Sequence, residues 1–180
     1  KNEFAHAFLS AQFFRRVTER IYYALVWGNV EEDHGRVEGH VGRSPVERKQ
    51  FIVYPDGSNG KYAITNYEVL ERFRFATLVK CKLETGRTHQ IRVHMKFLGH
   101  PLVSDTFYGG DEPTVKLDTP KYDAFIRNCL ETMPRQALHA KTLGFRHPET
   151  DMRAYFEVNL PGDFAAVLQK MREYRDAYLR

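Results

Sequence analysis

An α+β domain, with a mixed, mainly antiparallel sheet flanked by helices, is the fold class this sequence predicts. Three observations lead there. Helical and strand-like segments come in blocks rather than in strict alternation, which argues against a doubly wound arrangement. No glycine-rich phosphate loop follows a strand-like run, so nucleotide-cofactor folds lose support. The chain has 180 residues, 42% of them hydrophobic and 13% aromatic, enough for one domain with a sizeable core.

Residues 2–15 read as an amphipathic helix, because Phe4, Phe8 and Ala11, with Ala7 and Phe14, recur at helical spacing. Aromatic and β-branched residues over 20–29 predict a strand, and a shorter one follows at 36–41. Gly, Ser and Pro mark 42–50 as a loop. Two strand-like runs on either side of PDGSNG predict a hairpin, and the alternation over 75–84 adds a third strand to the same meander. In THQIRVHMKFLG, Ile91, Met95 and Leu98 fall on one helical face and His89, Arg92 and Lys96 on another. Thr88 is the expected N-cap, Gly99 the left-handed residue after the helix, and Pro101 the stop. KYDAFIRNCLETM predicts a short helix, and ALHAKTLGF and RAYFEVNL predict strands around the turn HPETD. Pro161 opens a last helix over about 163–179, whose apolar stripe is Phe164, Val167, Leu168 and Met171. Its basic end, KMREYRDAYLR, reads as a solvated face.

The net charge is +4, with pI near 9.0. Between residues 72 and 100, seven Lys and Arg stand against one acid, Glu84, a local excess suited to a phosphate backbone; a solvated basic face is the competing explanation. No apolar run is long enough to span a membrane, and no signal layout opens the chain. Cys81 and Cys129 lack metal or redox spacing and read as two free thiols of a cytoplasmic protein. His89 and His94, five apart on a helix, point away from each other, so no metal is expected. Asp105 follows the helix and reads as a turn residue, and His139 and His147 as structural or surface residues.

The segment LETGRTHQIRVHMKFLGHPLVSD, residues 83–105, concentrates the chemistry. Its helix begins beside Arg87, with Arg92 little more than a turn in. Two cations near the positive end of a helix dipole are unfavourable unless an anion, phosphate or carboxylate, lies between them. The same spacing also fits two solvated arginines.

GRTHQIRVHMKFLGHPLVSDTFYG resembles the third conserved motif of RluA-type RNA pseudouridine synthases. RIYYALVWG is similar to the family's second motif, in which a tyrosine lies two residues after a basic residue on a strand. GKYAITNYEVLERF and PRQALHAKTLGFRHPETD resemble the flanking strand segments, so residues 1–180 look like one catalytic domain. The resemblance implies isomerisation of uridine to pseudouridine in structured RNA without cofactor or metal, with large-subunit ribosomal RNA as first substrate and transfer RNA as second. It assigns catalytic roles to Tyr22, against the uracil, and to Arg92, paired with a nucleophilic aspartate; Ile91 helps wall the pocket. Arg87, His89, Gln90 and Lys96 are the further substrate-binding candidates, Arg87 and Lys96 for phosphates.

The chain departs from the pattern in two places. The Arg-Leu-Asp, Thr-Ser-Gly motif that carries the nucleophile does not occur, so the expectation is a catalytic domain lacking its N-terminal part and inactive alone. A non-catalytic RNA-binding module is the alternative. A sheet edge left open by missing strands would promote self-association. Ser104 also stands where the family usually has glycine, in a turn that needs positive φ.

Overall fold

A computed structural model describes residues 2–119 and 121–178. Its elements in chain order are α1 (Glu3–Phe14), β1 (Glu19–Trp27), β2 (His34–Arg43), β3 (Phe51–Tyr54), β4 (Lys61–Arg72) and β5 (Ala76–Leu83). There follow α2 (Gln90–Phe97), a 3-10 turn (Thr106–Tyr108), α3 (Tyr122–Thr132), β6 (Leu138–Arg146), β7 (Arg153–Glu157) and α4 (Gly162–Tyr178). The strands form one sheet in the order β3-β2-β4-β5-β1-β6-β7, every neighbouring pair antiparallel. The expected fold class therefore holds in its purely antiparallel limit. The expected end of the last helix, Leu179, lies outside the described residues.

Strand alternation in β1 separates two cores. Leu25 and Trp27 face α3 and α4, where they pack with Phe75, Leu78, Phe164, Val167, Leu168 and Met171. The apolar stripe read from the last helix is buried in full. Ala24 and Val26 face the other way, toward Ile91 and Met95 of α2. Trp27 is fully buried, and its indole Nε1–H donates to the Gly110 carbonyl at 2.8 Å. The segment after α2 returns beside β1: the Trp27 N–H donates to the Pro101 carbonyl, and the Val103 N–H donates to the Leu25 carbonyl. The pairing of β1 with β6 is irregular at one point. Between Ile21 and Tyr22 the register to β6 jumps from Thr142 to Ala140, so the extra residue, Lys141, belongs to β6. The pairing of β1 with β5 stays regular.

Four local expectations are corrected. The runs around PDGSNG do not form a hairpin, because β2 lies between β3 and β4 and pairs with both. The loop at 55–60 passes over the end of β2, and a Cβ on Gly60 would come within 2.5 Å of the Val41 backbone. Pairing is decided by the partner strand rather than by the turn residues. Thr88 is not the helix cap. The helix starts at Gln90, with His89 left-handed at φ 55, and the Gln90 side chain accepts the Arg87 N–H at 2.9 Å. On α1, Gln12 is the one buried residue, while Phe4 and Phe14 are exposed. The closing helix is no solvated basic face either, since Arg172 and Arg175 both bind Glu71. Ser104 does adopt positive φ, at 59, as expected of a residue in a glycine position.

Replacing Trp27 with Phe keeps most of the packing but leaves the buried Gly110 carbonyl without its indole donor. That carbonyl still accepts the Ser104 N–H, so the expected cost is about 0.5–1.5 kcal/mol, read as a lower urea midpoint.

Candidate active site

Neighbouring strands β1, β5 and β4 set two tyrosines on one face of the sheet. Tyr22 lies opposite Cys81 of β5, which lies opposite Tyr67 of β4. Both tyrosines pack against the cluster that contains Ile91 and Met95. Two of the expected residues, Tyr22 and Ile91, therefore adjoin one apolar cluster on the α2 face of the sheet. Tyr23 packs against the opposite core, as alternation requires.

Arg92 is held from several sides. Its Nε and Nη2 donate to the two carboxylate oxygens of Asp105, each at 2.7 Å, with 13% of the Arg92 side chain and 1% of the Asp105 side chain exposed. Its guanidinium carbon lies 4.7 Å from the centre of the Tyr108 ring and 5.7 Å from that of Phe107. Parallel bonds to a carboxylate with aromatic faces alongside fix a planar cation well. Nη1 makes no hydrogen bond among the described residues and is left for a further acceptor. Asp105 does hold a turn, its carbonyl accepting the Tyr108 and Gly110 N–H groups, and it has in addition the ion pair that its reading as a turn residue left out. A carboxylate that follows an apolar stretch into the interior needs a cation, and Arg92 supplies it. That need was the signal in the sequence.

The four further candidates divide. His89 stacks edge-on against Tyr108, whose hydroxyl lies 2.8 Å from Nδ1 and also accepts the Phe51 N–H. Burial, then the neighbouring Arg92, holds the imidazole pKa below its usual value. Lys96 is exposed, its ammonium 5.7 Å from the centre of the Tyr108 ring. His89, Arg92 and Lys96 thus converge on one tyrosine, as their shared helical face implies. Arg87 donates from Nε to the Tyr62 carbonyl at 3.0 Å and lines a cleft of about 400 Å³ with Arg43, Lys61, Asn59 and Phe51.

Gln90 departs from expectation. It is buried, its amide donates to the Ile64 carbonyl and to Thr65 Oγ1, and its oxygen accepts from Thr85 Oγ1 and the Arg87 N–H. An amide engaged at both ends ties the helix to β4 and has no capacity for substrate. The basic run at 72–100 is not one surface either. Arg72 pairs with Asp33, Lys80 with Glu68 and Arg92 with Asp105. Lys80 and Lys82 share one face of β5, opposite the face of Cys81 that α2 covers, so the run is divided between the two sides of the sheet. Among the described residues no group of His, Cys, Asp and Glu is placed to hold a metal ion.

The same polar node includes His94, fully buried, with Nδ1 2.9 Å from Thr65 Oγ1 and Nε2 without a partner. Burial pushes its pKa down to about 4. The unfolded chain takes up a proton near 6.5 while the folded one stays neutral, so stability present above 6.5 is lost as pH falls toward 4. The full effect is about 3 kcal/mol. Urea midpoints at pH 7.5 and 5.0 check the direction, and a ring resonance titrating near 6.5 in the folded protein would refute it.

A family model described as RNA pseudouridylate synthase matches residues 1–97. An uncharacterized RNA pseudouridine synthase of Chlorobaculum parvum is 44% identical over 173 residues, covering 96% of this chain and 53% of that protein. Ribosomal large subunit pseudouridine synthase D of Nitrosomonas europaea is 45% identical over 164 residues, covering 91% of this chain and 44% of that protein. The chain thus spans about half the length of the curated relatives it matches. Among solved structures, human RNA pseudouridylate synthase domain containing 1 superposes with a TM-score of 0.69 at 26% identity, covering 95% of this chain and 72% of that one.

Proposed function

The chain belongs to the RNA pseudouridylate synthase family, and from that membership we propose that it forms the larger part of a site that isomerises uridine to pseudouridine in structured RNA. The observation that carries this reading is the pairing of two features on one helix. Ile91 shares a cluster with Tyr22, and the next residue, Arg92, is clamped by Asp105 with one edge unbonded. In this reading a flipped uracil lies against Tyr22 and Ile91, while the free edge of Arg92 receives the nucleophilic carboxylate and keeps it ionised. No Arg-Leu-Asp segment occurs in these 180 residues, so the reading takes that carboxylate from polypeptide outside them and assigns no turnover to this chain alone. The target base must leave its stack, which favours loops and single strands. Four relatives carry the name ribosomal large subunit pseudouridine synthase D, which favours large-subunit ribosomal RNA as substrate over transfer RNA. Cys81 and Cys129 are free, buried thiols whose pKa values burial pushes up to about 12. Inert thiols of this kind suit a cytoplasmic setting.

Tyr22→Phe, and Arg92→Lys, which keeps a cation beside the buried Asp105, should each lower tritium release from 5-tritiated uridine RNA by the intact protein at least about a hundredfold, with RNA affinity nearly unchanged. Near-normal turnover in the Arg92 variant would contradict the role.

The open edge of β7, with Tyr155, Phe156 and Val158 exposed nearby, is proposed to pair with a second copy of this 180-residue chain. Light scattering should then report dimers or larger species, and a monodisperse monomer would refute the pairing.

A further inference from the structure

Arg20 is a positioned cation without an anion. It stands two residues before Tyr22 on β1, so alternation puts both side chains on the α2 face. Among the described residues it makes no hydrogen bond or ion pair, and its Nε is buried without a partner. Four other partly buried guanidiniums are matched by an acid: Arg92 meets Asp105, Arg135 meets Asp163, and Arg172 and Arg175 meet Glu71, while Arg87 donates to the Tyr62 carbonyl. The adjacent acid, Glu19, is engaged by Arg153.

The seat of Arg20 is nevertheless defined. Its guanidinium carbon lies 5.4 Å from the centre of the Phe13 ring, at the end of α1. On the other side it lies against the loop that enters α2, where a Cβ on Gly86 would stand 2.7 Å from Nη1. A guanidinium held by an aromatic ring and a glycine, with a donor shielded from water and unused, is costly unless an acceptor completes it.

We propose that Arg20 binds a phosphodiester of the very nucleotide whose base lies against Tyr22. This rests on the reading of Tyr22 as the base-facing residue. Residues two apart on a strand are about 7 Å apart, comparable with the span from a nucleobase to its own phosphate. The planar fork of arginine matches two phosphate oxygens, and a charge-assisted pair beside a half-buried cation is among the stronger polar contacts. Arg20 would then couple backbone position to base position, so that the base is set against Tyr22 by its own phosphate.

The test uses the intact protein and an RNA hairpin with a single loop uridine, with natural phosphates or with neutral methylphosphonates on both sides of that uridine, followed by fluorescence anisotropy. In the wild type, neutralising those phosphates should weaken binding about tenfold. In Arg20→Gln the natural oligonucleotide should bind about tenfold more weakly, and neutralisation should add nothing further. Gly86→Ala, which keeps the charge and displaces the guanidinium, should lose part of the discrimination while unfolding at the wild-type temperature. If Arg20→Gln keeps the full methylphosphonate penalty, Arg20 does not hold that phosphate. If Arg20→Gln binds RNA normally but loses thermal stability or turnover, the anion is a carboxylate of the protein and the proposal falls. A wild type that releases no tritium and binds neither oligonucleotide refutes the reading of Tyr22, and the Arg20 assignment falls with it.

Discussion

The bidentate contact between Arg92 and Asp105 is the constraint around which this face of the molecule is arranged. Asp105 is 1% exposed on its side chain, so its charge depends on the guanidinium for solvation. The contact joins α2 to the returning segment, whose backbone runs beside the end of β1. A shift of the helix along the sheet would break a buried ion pair, not merely exchange one apolar contact for another. The orientation of Arg92 is therefore tied to the strand that carries Tyr22, through the fold rather than by direct contact.

A second, uncharged anchor fixes the other side of the same helix. Thr65 of β4 bonds both Gln90 and His94, and Gln90 also reaches Thr85, Arg87 and Ile64. Buried networks of this kind rigidify because each member has few alternative partners. The helix is thus pinned on one side by hydrogen bonds to the sheet and on another by an ion pair to the loop. Between the anchors, the side chain of Ile91 remains free to pack toward Tyr22.

What the sequence made legible follows from the range of the interactions involved. Periodicity located every helix, and alternation placed Tyr22 and Tyr23 on opposite faces, because both are properties of a few successive residues. The motif resemblance led to Arg92 and Ile91, and Ile91 belongs to the cluster against which Tyr22 packs. The hairpin around PDGSNG was misread because a turn signal is local and a strand partner is not: β2 takes both β3 and β4. Gln90 looked available for a ligand because its buried partners come from β4 and the preceding loop. Asp105 was undervalued for the same reason, its cation lying thirteen positions upstream. The unpartnered state of Arg20 has no sequence signature, since it consists of carboxylates that the fold places elsewhere.

The extra residue at Lys141 bears on how such a chain can change length. β1 is hydrogen-bonded on both sides, and inserting one residue within it would exchange Tyr22 with Tyr23 and Arg20 with Glu19 between the two faces. β6 already accommodates an irregular residue beside that point while β1 keeps its step against β5. Insertions and deletions should therefore accumulate over descent in β6, which can absorb them in a bulge, whereas β1 varies by substitution alone.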